Sequence, residues 1–445
     1  MSPLIPPQEL LSLLLAFSPC FTRPALVYFV QFVVAMVVGV GRLTTTTVFR
    51  SSDGTRHYTN YARFLSSHRW SVGDVAQRLL DLLVTRHALW MDHQGRRRLC
   101  LVIDETIVEK TSKRMFGVAW QRNTHGGLCR GTHILGHYWL MLGVLVRVGG
   151  RVLCCPVGLR LYRQKKRCPA DEYKKPAQVA IDLLQGFSWP KDPSILRTLV
   201  ADAGFADQHF LRWCHREGFV VVVRGRMDAQ IHDLYVAQPV HPRGRPRKWG
   251  ERLSLSAYAA DEKHFTHRVY LYQERMEVRV ACLVARHRVS GLVMQFVITR
   301  RPGKDDLVIM CSDLGLTPRE ITGLYADRFS IEMTFRELKQ HFGLGHYQVR
   351  IPRAIESHVQ LSAVACSLTQ LLAIAPDDGG DIGLDRWTPM PWRKVGTVIS
   401  LHEAQHLIHQ ACLPSRTFRK VGLHEAHAKK ANAAQTDRRF ARQKC

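Results

Sequence analysis

The stretch from Tyr325 to Lys339 carries the residue types best suited to chemistry, and it contains neither glycine nor proline, so a helix is allowed throughout. At about 100° per residue, Tyr325, Arg328, Glu332 and Lys339 fall within a stripe about 60° wide. Phe329, Met333, Leu338 and Phe342 cover much of the remaining surface and are expected to pack inward. One carboxylate beside two cations and a phenol suits a phosphate backbone held next to a metal ion. Glu332 would ligate the ion while Arg328 and Lys339 neutralise phosphate oxygens. The same spacing also fits a solvated helix face laced by i,i+4 and i,i+7 ion pairs.

Metal-dependent phosphodiester chemistry draws on more than one carboxylate, because two cations must activate a nucleophile and steady the departing oxygen. Two aspartates stand in matching contexts. The apolar run Leu99 to Ile103 leads into Asp104, and Ile195 to Ala201 leads into Asp202, with Gly204 close behind. Each run reads as a buried strand that delivers a carboxylate at its C-terminal end, where α/β sheets place their sites. A charge next to such a run must be paired or bind a metal. Taken singly, each also fits a turn aspartate that ends a strand.

Together, Asp104, Asp202 and Glu332 resemble the acidic triad of the DDE insertion-sequence transposases. Tyr325, Arg328, Glu332 and Lys339 match, at every position and spacing, the Y-R-E-K signature of one branch of that family. The resemblance covers residues 95–345. It implies an RNase H-like core, two magnesium (or manganese) ions held by Asp104, Asp202 and Glu332, and cutting and joining of transposon ends. It also implies double-stranded DNA partners, the terminal inverted repeats and a target, with a homodimer in the DNA complex. A catalytically silent DNA-binding regulator and an RNase H-like nuclease that only hydrolyses are the alternatives.

Composition agrees with a polyanionic partner. The 445 residues hold 63 Lys plus Arg against 37 Asp plus Glu, a formal charge of +26 that exceeds what solubility requires. The twelve cysteines are scattered without a CxxC pair, which argues against a zinc ribbon and for reduced thiols in the cytoplasm; a place at the bacterial nucleoid is what the resemblance implies. The uncharged run Ala25 to Gly41 is just short of a comfortable membrane span, contains Gln31 and has no companion, so it reads as a buried core helix and no membrane is expected.

Along the chain the periodicity predicts an α/β protein whose catalytic core is interrupted by a mainly antiparallel β insertion. Residues 1–95 are expected to be helical, with Thr44 to Thr47 as linker; Arg63, His68, Arg69 and Arg78 suit recognition of DNA ends or equally a plain helical bundle, and the resemblance implies the DNA-binding domain. Residues 96–224 read as the first part of the core, with Gly149-Gly150 as a hairpin turn. Residues 225–304 read as the insertion, with Leu253 to Ser256 as one of its strands. Residues 305–375 read as the second part of the core. Residues 376–445 read as a basic, helical or disordered tail after an Asp377-to-Asp381 linker. The insertion opens on Arg243, Arg245, Arg247, Lys248 and Trp249. An extended Arg-Gly-Arg can lie in a narrow A·T minor groove, and Trp249 can stack on an unpaired base, although a flexible basic loop beside a core tryptophan has the same composition. His402-Glu403-Ala404-Gln405-His406 fits the HExxH pattern of zinc proteases, but no third ligand stands at the required spacing. Glu105 is expected to point away from Asp104 on a shared strand.

Overall fold

A computed structural model describes residues 6–412 except 40, 53–55, 68, 87–88, 123–131, 149–150, 235–248, 272–275 and 375–399. The predicted Gly149-Gly150 turn, the Asp377-to-Asp381 linker and the tail beyond residue 412 lie outside the described residues. Five helices come first: α1 (Gln8–Leu15), α2 (Arg23–Val38), α3 (Thr45–Ser51), α4 (Tyr58–Ser66) and α5 (Val72–Arg86). Next come β1 (Leu89–Met91), β2 (Arg97–Glu109), β3 (Ala119–Arg122), β4 (His133–Val148), β5 (Arg151–Tyr162), α6 (Pro176–Gln185), β6 (Ile195–Ala201), α7 (Gln208–Arg216) and β7 (Phe219–Arg224). The chain continues through β8 (Ile231–His232), β9 (Arg252–Leu253), α8 (Leu255–Ala260), β10 (His267–Leu271), β11 (Met276–His287), β12 (Val293–Arg300) and β13 (Leu307–Cys311). It closes with α9 (Pro318–Asp327), α10 (Ser330–Gln340), α11 (Pro352–Ile374) and α12 (Leu401–Cys412).

The strands form one large, mostly antiparallel sheet in the order β3-β4-β2-β6-β7-β13-β12-β11-β8-β9. Only β2 with β6 and β6 with β7 pair in parallel among the described strands. A strand bearing an aspartate, a meander and then two parallel strands are consistent with the RNase H-like core that the resemblance implies. The strands expected as an insertion continue this sheet, joined to it where β13 pairs with β7. Leu253 to Ser256 does not form the expected strand. Pairing stops at Leu253, and the Ser254 hydroxyl accepts from the Ala257 amide and starts α8 instead. Thr44 to Thr47 is likewise no linker: the Thr44 hydroxyl caps α3, taking the Thr47 amide at 3.3 Å.

The apolar run after Arg23 is α2, buried along most of its length, and no helix among the described residues is long and apolar enough to cross a membrane. It packs with α4, α11 and α12 in the same core as the sheet. Arg78, expected among the cations of a DNA-reading face, donates instead to the Ala16 carbonyl at 2.7 Å. The ten described cysteines are free thiols.

Among the described residues strand β5 pairs with β4 alone, and helices pack against it. Gln360 and Ser367 donate to the Val157 and Pro156 carbonyls at 2.9 and 2.7 Å, and Gln370 and Thr334 both donate to the Cys154 carbonyl. Polar residues on the otherwise apolar α11 thus satisfy an edge that would invite another strand. At the far end of β2, Lys110 donates to the Gly345 and Tyr347 carbonyls at 2.6 and 3.2 Å, and burial pulls its ammonium down to about 7. Gly345 has φ +105°, and a Cβ there would meet Val108 at 2.5 Å, so only glycine lets the chain pass this close to β2.

Arg98, directly before the apolar run of β2, is fully buried. It donates to Asp92 at 2.9 Å and to Thr198 at 3.2 Å, and it is bonded to Asp313. Burial raises the Asp92 carboxyl, but its bonds to the Arg96 amide and to the Arg98 and Arg96 side chains outweigh this and hold it at about 2. The cluster ties the β1–β2 turn and the segment after β13 to the parallel strands. Arg98→Met removes the charge on which two sheltered carboxylates depend and is expected to cost about 3–5 kcal/mol. Denaturant unfolding measures this, and a loss under about 1 kcal/mol would mean the cluster is not structural.

Candidate active site

Residues 99 to 103 of β2 are all buried, as are 199 to 201 of β6. Their parallel register runs from Arg97 opposite Ile195 to Ile103 opposite Ala201, so the next step of each strand presents Asp104 and Asp202 side by side. Strand β6 ends there, and Asp202 leads into a short turn at Ala203–Phe205. Strand β2 does not end, contrary to the sequence expectation: it runs on to Glu109 along β4, with Asp104 opposite Met141. The parallel ladder stops at the aspartates while the antiparallel one continues, so Asp104 lies where β2 loses one of its two neighbours. Glu105 faces the other way, beside the Tyr138 hydroxyl.

The signature segment is two helices. Thr317 and Glu320 form a capping box with Pro318 in the first turn, which starts α9. The expected single helix then breaks between Asp327 and Ser330, where the amides of Phe329, Ile331 and Glu332 each bond three residues back rather than four. These tight turns rotate α10 relative to α9, so Ile331, Thr334, Phe335 and Leu338 face inward. Leu338 and Phe342 are buried as expected. Phe329 and Met333 are not: they are 49% and 38% exposed. Asp327 is held to Arg147 of β4, which fixes the end of α9 against the sheet, a pair the sequence reading missed.

At this joint the signature meets the aspartates. The Tyr325 hydroxyl donates to Asp202 at 3.1 Å. Arg328 donates through Nη1 to Asp104 at 2.5 Å and through Nη2 to Glu332 at 3.1 Å. One phenol and one guanidinium therefore link all three predicted acids. Lys339 lies seven residues beyond Glu332 on the same face of α10, roughly 10 Å further along. Burial pushes Asp104 up to about 7 against the pull of Arg328, with the charges of Glu105 and Asp202 adding to the rise. Burial and the Asp202 charge push Tyr325 up to about 12, so it stays a neutral donor. Burial works against the Arg328 charge, but Asp104, Tyr325, Asp202 and Glu332 together hold it above its usual range.

As a donor set, the carboxylates of Asp104, Asp202 and Glu332 are of the type that suits hard divalent cations such as magnesium. Among the described residues no three acidic, His or Cys side chains stand close enough together to hold an ion as they are. The Arg328 guanidinium lies between Asp104 and Glu332.

The remaining predicted residues lie elsewhere. Arg243, Arg245, Arg247 and Lys248 are outside the described residues. Trp249 borders β9, at the end of the sheet away from β2, where Arg288 lies 4.6 Å over its ring and His232 5.4 Å from it. It lines a cavity of about 670 Å³ with Gln230, His232 and Arg288. The HExxH match falls on α12, but Glu403 accepts from the amide and hydroxyl of Ser400 at 2.8 and 2.6 Å, so it caps the helix rather than serving as a base.

A carboxyl whose folded pKa lies above its unfolded value favours folding while protonated. The Asp104 contribution is therefore full below pH 3.8 and is lost as pH rises through about 7. Between pH 5 and pH 8 the parent chain is expected to lose on the order of 2 kcal/mol of stability relative to Asp104→Asn. Urea unfolding at the two pH values tests this, and parallel pH profiles would show that Asp104 is already ionised at pH 5.

A family model described as DDE superfamily endonuclease matches residues 16–281, a stretch that includes Asp104 and Asp202 and ends before Glu332. No curated protein matches the chain.

Proposed function

The chain belongs to the DDE superfamily endonuclease family, and from that premise we propose that it is a transposase of the Y-R-E-K branch that binds the ends of a mobile element, cleaves the DNA and joins it to a target. The observation that carries this is the pairing of Asp104 and Asp202 at the end of the parallel ladder, with Tyr325, Arg328 and Glu332 packed against them.

Asp104, Asp202 and Glu332 would hold two magnesium or manganese ions, which would supply activation of water or a 3′-hydroxyl and stabilisation of the departing oxygen. Tyr325 orients Asp202 through its hydroxyl. Arg328 and Lys339 grip phosphates on either side of the cut, because guanidinium and ammonium groups pair strongly with phosphate oxygens. The exposed Phe329 and Met333, beside these cations, give the DNA an apolar footing at the same joint. The stretch with Arg243, Arg245, Arg247 and Lys248 tracks a minor groove of terminal or target DNA, and Trp249 stacks on an unpaired base. Two copies acting as a homodimer bring two ends together.

Asp104→Asn, Asp202→Asn and Glu332→Gln are each expected to reduce magnesium-dependent nicking and strand transfer of element-end DNA to background while gel-shift binding persists. Retained cleavage by any of the three removes the mechanism, and cleavage without strand transfer by the parent makes it a hydrolytic nuclease. Replacing Arg243, Arg245, Arg247 and Lys248 together by Ala is expected to lower the magnitude of the slope of log affinity against log salt by about 3 to 4. An unchanged slope would place those cations off the DNA.

A further inference from the structure

Arg328 is built into the site unlike an ordinary phosphate-gripping arginine. It sits in the break between α9 and α10, and its side chain is only 13% exposed. Its two terminal nitrogens go to two different carboxylates, Asp104 and Glu332, and the third member, Asp202, is near enough to support its charge. Its Nε is buried without a hydrogen-bond partner among the described residues, so the guanidinium is not locked on all sides. Beside it lies a cavity of about 130 Å³, lined by Arg328 itself with Tyr325, Phe329, Arg301 and Met276.

We propose that Arg328 is a resident counter-cation, holding in the DNA-free chain the place between Asp104 and Glu332 that a divalent ion takes, and leaving it when a DNA phosphate arrives to receive the guanidinium. Asp104, Asp202 and Glu332 repel one another when ionised, and a cation beside them offsets that repulsion. A guanidinium and a divalent ion cannot both sit between the same two carboxylates, since like charges at a few ångströms repel strongly in a sheltered site. A phosphate offers the planar guanidinium an equally good two-pronged partner. Ion uptake and DNA binding then favour each other, and the coupling is reciprocal. Arg328 becomes a positioning residue whose rest position disarms the protein away from DNA. This rests on the carboxylate centre proposed above.

The test is calorimetric titration of the DNA-free full chain with Mn²⁺ alone. Arg328→Ala is expected to bind the ion at least about tenfold more tightly than the parent. Arg328→Lys, whose single head cannot bridge both carboxylates, is expected to fall between them, and it decides the matter if the alanine variant fails to fold. Asp104→Asn is expected to lose the ion altogether. If neither Arg328 variant binds more tightly than the parent while Asp104→Asn loses the ion, the counter-cation is wrong and the centre stands. If Asp104→Asn binds as the parent does, the centre itself is wrong and Arg328 has nothing to guard.

Discussion

Charge beside a buried strand has to be answered by opposite charge, and much of this protein is arranged around that need. Asp104 and Asp202 are set side by side because two apolar strands run in parallel register to them. The strands can be apolar and buried only if the charges at their ends are neutralised nearby. Arg328 supplies that charge, and Tyr325 a neutral hydrogen bond to Asp202, from a helix joint encoded more than a hundred residues later. Asp92 and Asp313 meet the same demand through Arg98, at the N-terminal end of the same strand β2. Strand β2 therefore carries a sheltered ion cluster at one end of its apolar run and the candidate active site at the other. The first centres on the fully buried Arg98 and Asp92 and serves the fold, while the second includes the half-exposed Glu332.

The parts of this arrangement that depend on neighbouring residues were legible in the sequence. The runs before Asp104 and Asp202 read as strands from their apolar continuity. The start of α9 was evident from Thr317, Pro318 and Glu320, and the burial of α2 from an uncharged run too short to span a bilayer. The branch signature marked Tyr325, Arg328 and Glu332, and the structure brings these three to the aspartates; Lys339 stands further along the same helix. What did not read was set by tertiary contact. Helix propensity carries no sign of the break at Arg328 and Phe329, so the face predicted from one straight helix buried the wrong pair. The polar Thr44 to Thr47 looked like linker because a capping threonine and a loop threonine are the same residue. Arg98 was passed over, although an arginine abutting an apolar strand is itself a signal of a buried partner. One partner, Asp92, is six residues away, but the other, Asp313, is over two hundred residues away and invisible to local pattern.

The protein also shows how a motif can be spelled correctly and mean something else. Glu403 is in place for HExxH, but its carboxylate closes the first turn of α12 on Ser400. A capping box and a metalloprotease base share a carboxylate near the start of a helix. The difference between them is whether the glutamate faces a cleft or its own backbone.

Strand β13 stands between β7 and β12 in the sheet, yet it is encoded after both. As the polypeptide leaves the ribosome, the parallel strands beneath the aspartates present β7 as an open edge until everything through Cys311 has emerged. An unfinished edge of Val222 to Arg224 is a template for any passing strand. Truncated products that stop before residue 307 therefore keep this edge without its native partner.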